Sequence, residues 1–453
     1  MESPRKTKIN SVFLGISIYL HYLCHQMKKL VCWMMLLALV ACSTDDANND
    51  PPAGPARRTV VVYMAGENNL SSYVEDDLWE MKTGRAKAAA NENLVVFVDR
   101  QPNKEKPLSE QEKPFIALVT TDKRLDTLYR YQDDFYSSDP AQMTAVLKKT
   151  LELCPATEDY GLVLWGHGNS WLIEKDSIVT PSHRAYGYDD GSDDNQGRWM
   201  NIPTLRTVLA SVPVKWKFIF FDCCNMISAE VAYELRNAAD YLIGSPAEIP
   251  GIGAPYYNIV NDLFCHDDAA MYTLLCDHYF DQPVQYQGEH TPLAVVKTAA
   301  MPLLAEATRQ VLPQVAEYLK SAETPMKDAI YYFADPKHQN EKAMYDIQDI
   351  VLTALQDDPA KSQSWLDAFR QTVVYSKPSP FWNIDYSADY YVRFSDFTQM
   401  KDGVRVFKHG NDHCGVMSMF FPLEQYDHAS RLYNEDIKKV GWYYAAGWEE
   451  IGR

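Results

Sequence analysis

Two stretches, GLVLWGHG at 161–168 and KFIFFDCC at 217–224, decide the fold. Each is a run of Val, Ile, Leu or Phe that breaks off into Gly, His or Cys. A run without polar alternation is apolar on both faces, the condition of a strand inside a parallel sheet covered by helices. Working outward, VVVYM (60–64), LVVFVDR (94–100), FIALV (115–119) and YLIGSP (241–246) have the same character. Between them lie helical spacings: Val74, Leu78 and Met81; Ala141 to Leu153; IPTLRTVLASV (202–212); ISAEVAYELRNAA (227–239). Strands alternating with helices predict an α/β fold, a mostly parallel sheet flanked by helices on both faces. Ligands of such sheets bind at the carboxyl ends of the strands, and His167 and Cys224 both fall there. From about Phe264 to Gln371 the spacing turns helical, and GVMSMFFP (415–422) predicts one late strand.

The 453 residues are 46% hydrophobic and 23% charged, as in an ordinary folded protein, with a formal net charge of −18. Removing residues 1–41 leaves 38 basic and 60 acidic residues, a net of −22. Such a surface excludes nucleic acid as a partner and attracts basic peptides. Six of the nine cysteines follow Cys42, with no C-x-x-C pair among them, which excludes a structural zinc site and leaves thiols free for chemistry. No H-E-x-x-H and no phosphate-binding G-x-x-x-x-G-K-[ST] loop occurs.

The N-terminus reads as an export signal. From Met27 the chain runs MKKLVCWMMLLALVACSTDDANND, two lysines and then an apolar run, Leu30 to Ala41, too short to cross a bilayer. It closes on Leu39-Val40-Ala41-Cys42, which resembles a bacterial lipobox with Cys42 as the lipid attachment site. Residues 1–26 then read as an extension ahead of the true start, 27–41 as the signal peptide and 42–58 as a flexible tether. Asp45-Asp46 resembles the acidic tag of surface-exposed lipoproteins. The expectation is a protein of the bacterial cell envelope, held by its lipid to the outer membrane, with a core over 59–263 and a C-terminal region over 264–453.

A thiol hydrolase needs a nucleophilic sulfur, an imidazole to move its proton and donors for the oxyanion. His167 sits in W-G-H-G-N-S-W, where flanking glycines permit close backbone approach, so the Gly168 amide is a candidate oxyanion donor. Cys224, 57 residues later, is expected to end a strand and open a helix whose N-terminus lowers its pKa. Alternation along the strand puts Asp222 and Cys224 on one face and Cys223 on the other. Asp222 is thereby placed to read a positive side chain on a substrate, and Cys223 to pack.

The order YMAGENNL, VDR, LVLWGHGNSW, FIFFDCCNM with SAEVAYEL, then EIPGIGAPY, closely resembles the clostripain family of bacterial cysteine peptidases, and continues through YDIQDI (345–350) to GVMSMFFP. The resemblance implies a caspase-like fold, a His167/Cys224 dyad, cleavage after Arg or Lys in protein or peptide substrates, and Asp222 in the pocket for the basic side chain. Three positions depart from the family pattern: Cys223 where Ala is usual, Asn225 where Leu is common, and Glu67 where Asp is usual. Two other readings therefore stay open: a related cysteine hydrolase with another side-chain preference, and a catalytically inactive surface-binding lipoprotein.

Family members often mature by self-cleavage between the His and Cys motifs, which nominates Lys175, Arg184 and Arg198. No cofactor is expected to be required. Ca²⁺ is a candidate through Asp189, Asp190, Asp193 and Asp194, but DDGSDDNQG lacks the terminal glutamate of an EF-hand loop, and a solvated acidic loop without metal is the favoured reading.

Overall fold

The computed structural model describes residues 56–173, 186–191, 197–281, 291–321, 326, 328–335, 341–385, 390–401, 404–407, 413–428 and 431–451. Cys42 with its signal segment, the tether through residue 55, Lys175, Arg184, Asp193 and Asp194 lie outside the described residues, while the tether's expected last three residues, Ala56 to Arg58, are instead the start of the first strand.

The apolar runs form the centre of one sheet. In chain order the elements are β1 (Ala56–Gly66), α1 (Val74–Arg85), β2 (Asn93–Arg100), β3 (Phe115–Val119), β4 (Leu125–Arg130), α2 (Pro140–Leu153), β5 (Ala156–Trp165), β6 (Tyr186–Asp189) and β7 (Arg198–Met200). There follow α3 (Ile202–Ala210), β8 (Trp216–Asp222), α4 (Ala229–Glu234), β9 (Ala239–Gly244), α5 (Tyr256–Leu263), α6 (Asp268–Phe280) and β10 (Leu293–Lys297). The C-terminal region adds α7 (Met301–Ser321), β11 (Tyr331–Asp335), β12 (Glu341–Asp346), α8 (Ile347–Ala354), α9 (Pro359–Thr372), β13 (Val373–Lys377) and β14 (Phe381–Asp385). The main sheet has nine strands in the order β13-β10-β9-β8-β5-β1-β2-β3-β4. The inner five, β9 to β2, pair in parallel, and the strands added at each edge run antiparallel.

Period-two alternation divides the strand side chains between two cores. Val61, Tyr63, Leu162, Leu164, Ile219 and Phe221 face α2 and α3 through Met143, Leu147 and Leu205. Val60, Val62, Val163, Phe218 and Phe220 face α1, α5 and α6 through Leu78, Ile259 and Met271. Full burial of each such side chain stabilises the fold by about 1.5–3 kcal/mol. Local signals agree with these boundaries. Asp139 caps α2, accepting from the Ala141 and Gln142 amides ahead of Pro140 in the first turn, and α1 begins on Glu75, Asp76 and Asp77 and ends on Lys82 and Arg85. Asp139→Ala would cost about 1 kcal/mol.

Three expectations are corrected. The stretch from Phe264 to Gln371, read as helical, also holds β10, β11 and β12, and β10 and β13 join the main sheet, so the core does not stop at residue 263. Residues 415–422 contribute only the two-residue strand Ser418–Met419, paired with β12 outside the main sheet. The cause is Asp346, which accepts from the Gly415 and Val416 amides (2.9 Å each) and the Tyr332 hydroxyl (2.7 Å), bending the chain through Val416 at φ +56°. Helix 227–239 is shorter than its spacing suggested, six residues in α4, because Ser228 caps it late, accepting from the Val231 amide at 3.2 Å. The late segment instead braces the chain after Cys224: Ser418 N–H donates to the Ile227 carbonyl (3.1 Å), and Phe420 N–H to the Glu230 carboxylate (2.8 Å).

Candidate active site

Strands β5 and β8 are parallel neighbours with Trp165 opposite Asp222. The ladder ends at that pair, two residues before His167 and two before Cys224. The loops keep this proximity beyond the strands. Gly166 N–H donates to the Asp222 carbonyl at 3.3 Å. A methyl group on Gly168 would lie 2.6 Å from the Cys224 carbonyl oxygen and 3.1 Å from Cys223 Cβ. Only glycine permits that approach.

His167 Nε2 is 2.7 Å from Asn69 Oδ1. Because that oxygen accepts, Nε2 carries the proton and Nδ1 keeps its lone pair. The rings of Trp199 and Tyr188 stand 5.9 and 6.3 Å away, centroid to centroid. Burial brings the imidazole pKa down to about 4, against a weaker opposing pull from Asp190, so the ring is neutral at pH 7. Asn69, in the G-E-N-N-L stretch, was not anticipated; its signal was two adjacent amides at the end of a buried strand.

The Cys224 thiol accepts from Ile249 N–H at 3.4 Å and lies 3.9 Å from the Ile249 carbonyl. Its pKa is raised, first by burial, then by the charges of Glu248 and Asp222, with the Ile249 amide acting the other way. The expected lowering by a helix terminus is therefore corrected: α4 starts only at Ala229, and a turn through Asn225 at φ +62° intervenes. Asn tolerates that left-handed geometry better than the leucine common in the family. Cys223 is wholly buried in the α2/α3 core beside Met226 and Ile227, as alternation required. Gly168 pairs with Tyr186 through a bond from Gly187 N–H to the His167 carbonyl (2.8 Å), a pattern that leaves its own amide outside the pairing.

Asp222 faces the α1/α5 side. Tyr256 donates its hydroxyl to Oδ2 at 2.7 Å, and Gly253 (φ +64°) packs so closely that a Cβ would be 2.9 Å from that oxygen. Gly253 and Asp77 also line a cavity of about 280 Å³, together with Tyr73, Asp76, Trp79 and Glu80 among others; Asp222 lies behind its wall. Asp77 accepts the Trp165 indole N–H at 2.6 Å. Burial raises the Asp222 pKa to about 6, and burial with the Asp222 charge pushes Asp77 well above the usual carboxylate range. At neutral pH the charge resides on Asp222. Asp76, Asp77 and Glu80 lie within the stretch whose helical spacing rests on Val74, Leu78 and Met81, and in the sequence they had no role of their own.

Arg198 sits within β7, ion-paired to Asp139 at 4.0 Å and 4.1 Å above the Tyr136 ring. Asp189 is not solvated as expected but fully buried, accepting from the Gly191 amide and the Ser137 hydroxyl at 2.8 Å each. With Glu67 and Asp99 it forms a group whose oxygens could hold a metal ion.

Comparison with known proteins finds relatives both by sequence and by fold. The Clostripain family model, Peptidase C11, matches residues 62–451. Clostripain of Hathewaya histolytica is 30% identical over 229 residues, which are 44% of this chain and 41% of that protein, so the chain spans less than half of that relative. The X-ray structure of a secreted C11 cysteine protease from Bacteroides thetaiotaomicron, in complex with an irreversible peptide inhibitor, superposes with a TM-score of 0.67 and 27% identity. It covers 87% of this chain and 100% of that one. An inactive zymogen C11 protease from Parabacteroides distasonis gives 0.65 and 26%, over 87% and 99%.

Proposed function

This chain belongs to the clostripain family of cysteine peptidases, and from that premise we propose that it is an endopeptidase cleaving after Arg or Lys. The observation that carries the side-chain preference is the acidic cavity beside Asp222, lined by the carboxyl groups of Asp76, Asp77 and Glu80 and, among the described residues, by no Lys, Arg or His. A guanidinium or ammonium entering it meets these carboxyl groups, with the Asp222 charge behind Gly253 adding to their attraction.

The dyad works from a neutral resting pair. As Cys224 Sγ attacks the scissile carbonyl carbon, His167 Nδ1 takes the thiol proton, and the electron pair of the carbonyl moves to its oxygen. The Gly168 amide is positioned to donate to that oxyanion. Collapse of the intermediate breaks the C–N bond while His167 returns the proton to the departing amine. A water molecule, deprotonated by His167, then hydrolyses the thioester and restores the thiol. Asn69 holds the ring by Nε2, which leaves the Nδ1 lone pair for the thiol proton.

Export of the chain by its N-terminal signal and anchoring through a lipid on Cys42 complete the reading; the secreted relative from Bacteroides thetaiotaomicron is consistent with export. The test is a panel of fluorogenic peptides ending in Arg, Lys, Asp or Leu. Cleavage confined to Arg and Lys is the expected result. Equal cleavage after Leu, or none after any residue, would overturn the proposal.

A further inference from the structure

In the C-terminal region the last turns of α7 and the final helix, Trp448–Ile451, enclose a cavity of about 320 Å³. Small-molecule sites begin at about that size. Its body is apolar, lined by Leu319, Pro422, Leu423, Tyr443 and Ile451. The walls are fixed from outside. Trp448 packs against Phe421 with ring centroids 6.2 Å apart, and Phe420 N–H is held by the Glu230 carboxylate at 2.8 Å. Asn434 Nδ2 donates to the Leu423 carbonyl at 2.7 Å, and Arg309 on α7 donates to the Ala445 carbonyl at 3.2 Å. A cavity braced on every side is formed before a ligand enters, so little is lost in ordering it.

The polar groups along this wall are mostly donors. Trp448 is only 7% exposed, and its indole N–H is buried without a hydrogen-bond partner, a state that costs stability until an acceptor arrives. Lys320 and Lys438 line the same cavity. Lys438 is paired with Glu435 at 2.6 Å, whereas Lys320 makes no ion pair among the described residues. The opposing charge in the lining is Glu449. Glu317 and Glu450 line a neighbouring cavity that also takes in Lys320, and Glu450 is itself held by Arg309. Two cations against one acid stand out in a chain of net charge −18. An indole N–H and an ammonium can only donate, so the group that completes them is an anionic acceptor.

We propose that this cavity binds a small amphipathic carboxylate, a medium-chain alkanoate or aryl-alkanoate. The carboxylate meets Lys320 and the Trp448 indole N–H, and the apolar chain lies among Leu319, Leu423 and Ile451. Each half of the ligand answers one half of the lining. The carboxylate supplies the missing acceptor in a charge-assisted bond, and the chain displaces water from the apolar body. A cationic head group would instead face two lysines. The cavity shares no lining residue with the one beside Asp222. Binding does not depend on the peptidase reading, and the test reads binding rather than turnover.

The test titrates the purified chain with octanoate by calorimetry, alongside hexanoate, octanamide and octylamine. Saturable binding of octanoate at one per chain is expected, weakening about fourfold for each methylene removed. Octanamide and octylamine should bind at least about tenfold more weakly. Lys320→Gln should weaken octanoate about tenfold, and Trp448→Phe, which keeps most of the apolar wall, about fivefold. No saturable binding of octanoate at millimolar concentration would overturn the site. So would octylamine binding as tightly as octanoate, or unchanged octanoate affinity in either folded variant. Lys320 is exposed, and surface substitutions of this kind leave a fold intact. Should Trp448→Phe fail to fold, Lys320→Gln and the wild-type ligand series still decide.

Discussion

Two groups of buried carboxylates flank the same strand ends, and they differ in what reaches them. Asp222, with Asp77 and Glu80, lies on the side of Phe218 and Phe220; Glu67, Asp99 and Asp189 lie on the side of Tyr63 and Phe97. Each raises its members' pKa values by burial and mutual repulsion. The first is fronted by a cavity of about 280 Å³, large enough for a side chain to enter. The second is closed, its three carboxyl groups fully buried. Access, rather than the chemistry of the carboxylates, separates a specificity pocket from a buried acidic cluster.

The sharpest way to break this comparison is to neutralise one group and watch for the other's phenotype. Asp222→Asn should lower kcat/KM for Arg peptides about a hundredfold. Asp99→Asn should leave the ratio of Arg to Leu cleavage as in wild type. If Asp99→Asn altered that ratio, the two groups would not be separate.

The pH dependence of specificity comes next. Asp222 must be ionised to hold a cation, and its pKa is raised to about 6. kcat/KM for Arg peptides should therefore fall about tenfold per pH unit below that value. His167 does not titrate in this window, its pKa lying near 4. The same shift gives the sign for stability: Asp222 favours the fold most below the ordinary carboxylate pKa, and its contribution is lost as pH rises through about 6. A profile flat from pH 5 to 7 would remove Asp222 from the pocket. Asn69→Ala, which frees the ring without touching either acidic group, should lower kcat about tenfold with KM nearly unchanged. The smallest effect is expected of Glu80→Gln. Its carboxyl is brought to about 7 by burial and is therefore half protonated at neutral pH, so Arg-peptide kcat/KM should change by less than about fivefold.

What the sequence made legible follows what repeats along it. Continuous Val, Ile, Leu and Phe runs announced the parallel strands, and their ends announced His167, Cys224 and Asp222, because a strand has a period and a direction. Positions set by the meeting of distant segments were not legible. Asn69 reaches His167 across 98 residues. Asp77 had no role in the sequence, and gains one only where the Trp165 indole, 88 residues away, donates to it. Glu67 was noted only as a departure from a motif, and Asp189 as one aspartate of a polar loop. Their shared burial exists only once β1, β2 and β6 are side by side. Cys224 taught the opposite lesson. A helix was expected to follow it at once, but the positive-φ turn at Asn225 moved that helix five residues downstream, taking its dipole away from the thiol.

The central claim is that Cys224, between the two acidic groups, is the nucleophile and that its neighbour Cys223 is packing. It is tested most directly by measuring hydrolysis of one Arg peptide by wild type, Cys224→Ala and Cys223→Ala, side by side under reducing conditions. The account predicts that Cys224→Ala loses at least about a thousandfold in kcat, while Cys223→Ala keeps its activity and gives up about 1 kcal/mol of stability. Activity that survives Cys224→Ala, or disappears with Cys223→Ala in a protein that still folds, would contradict it.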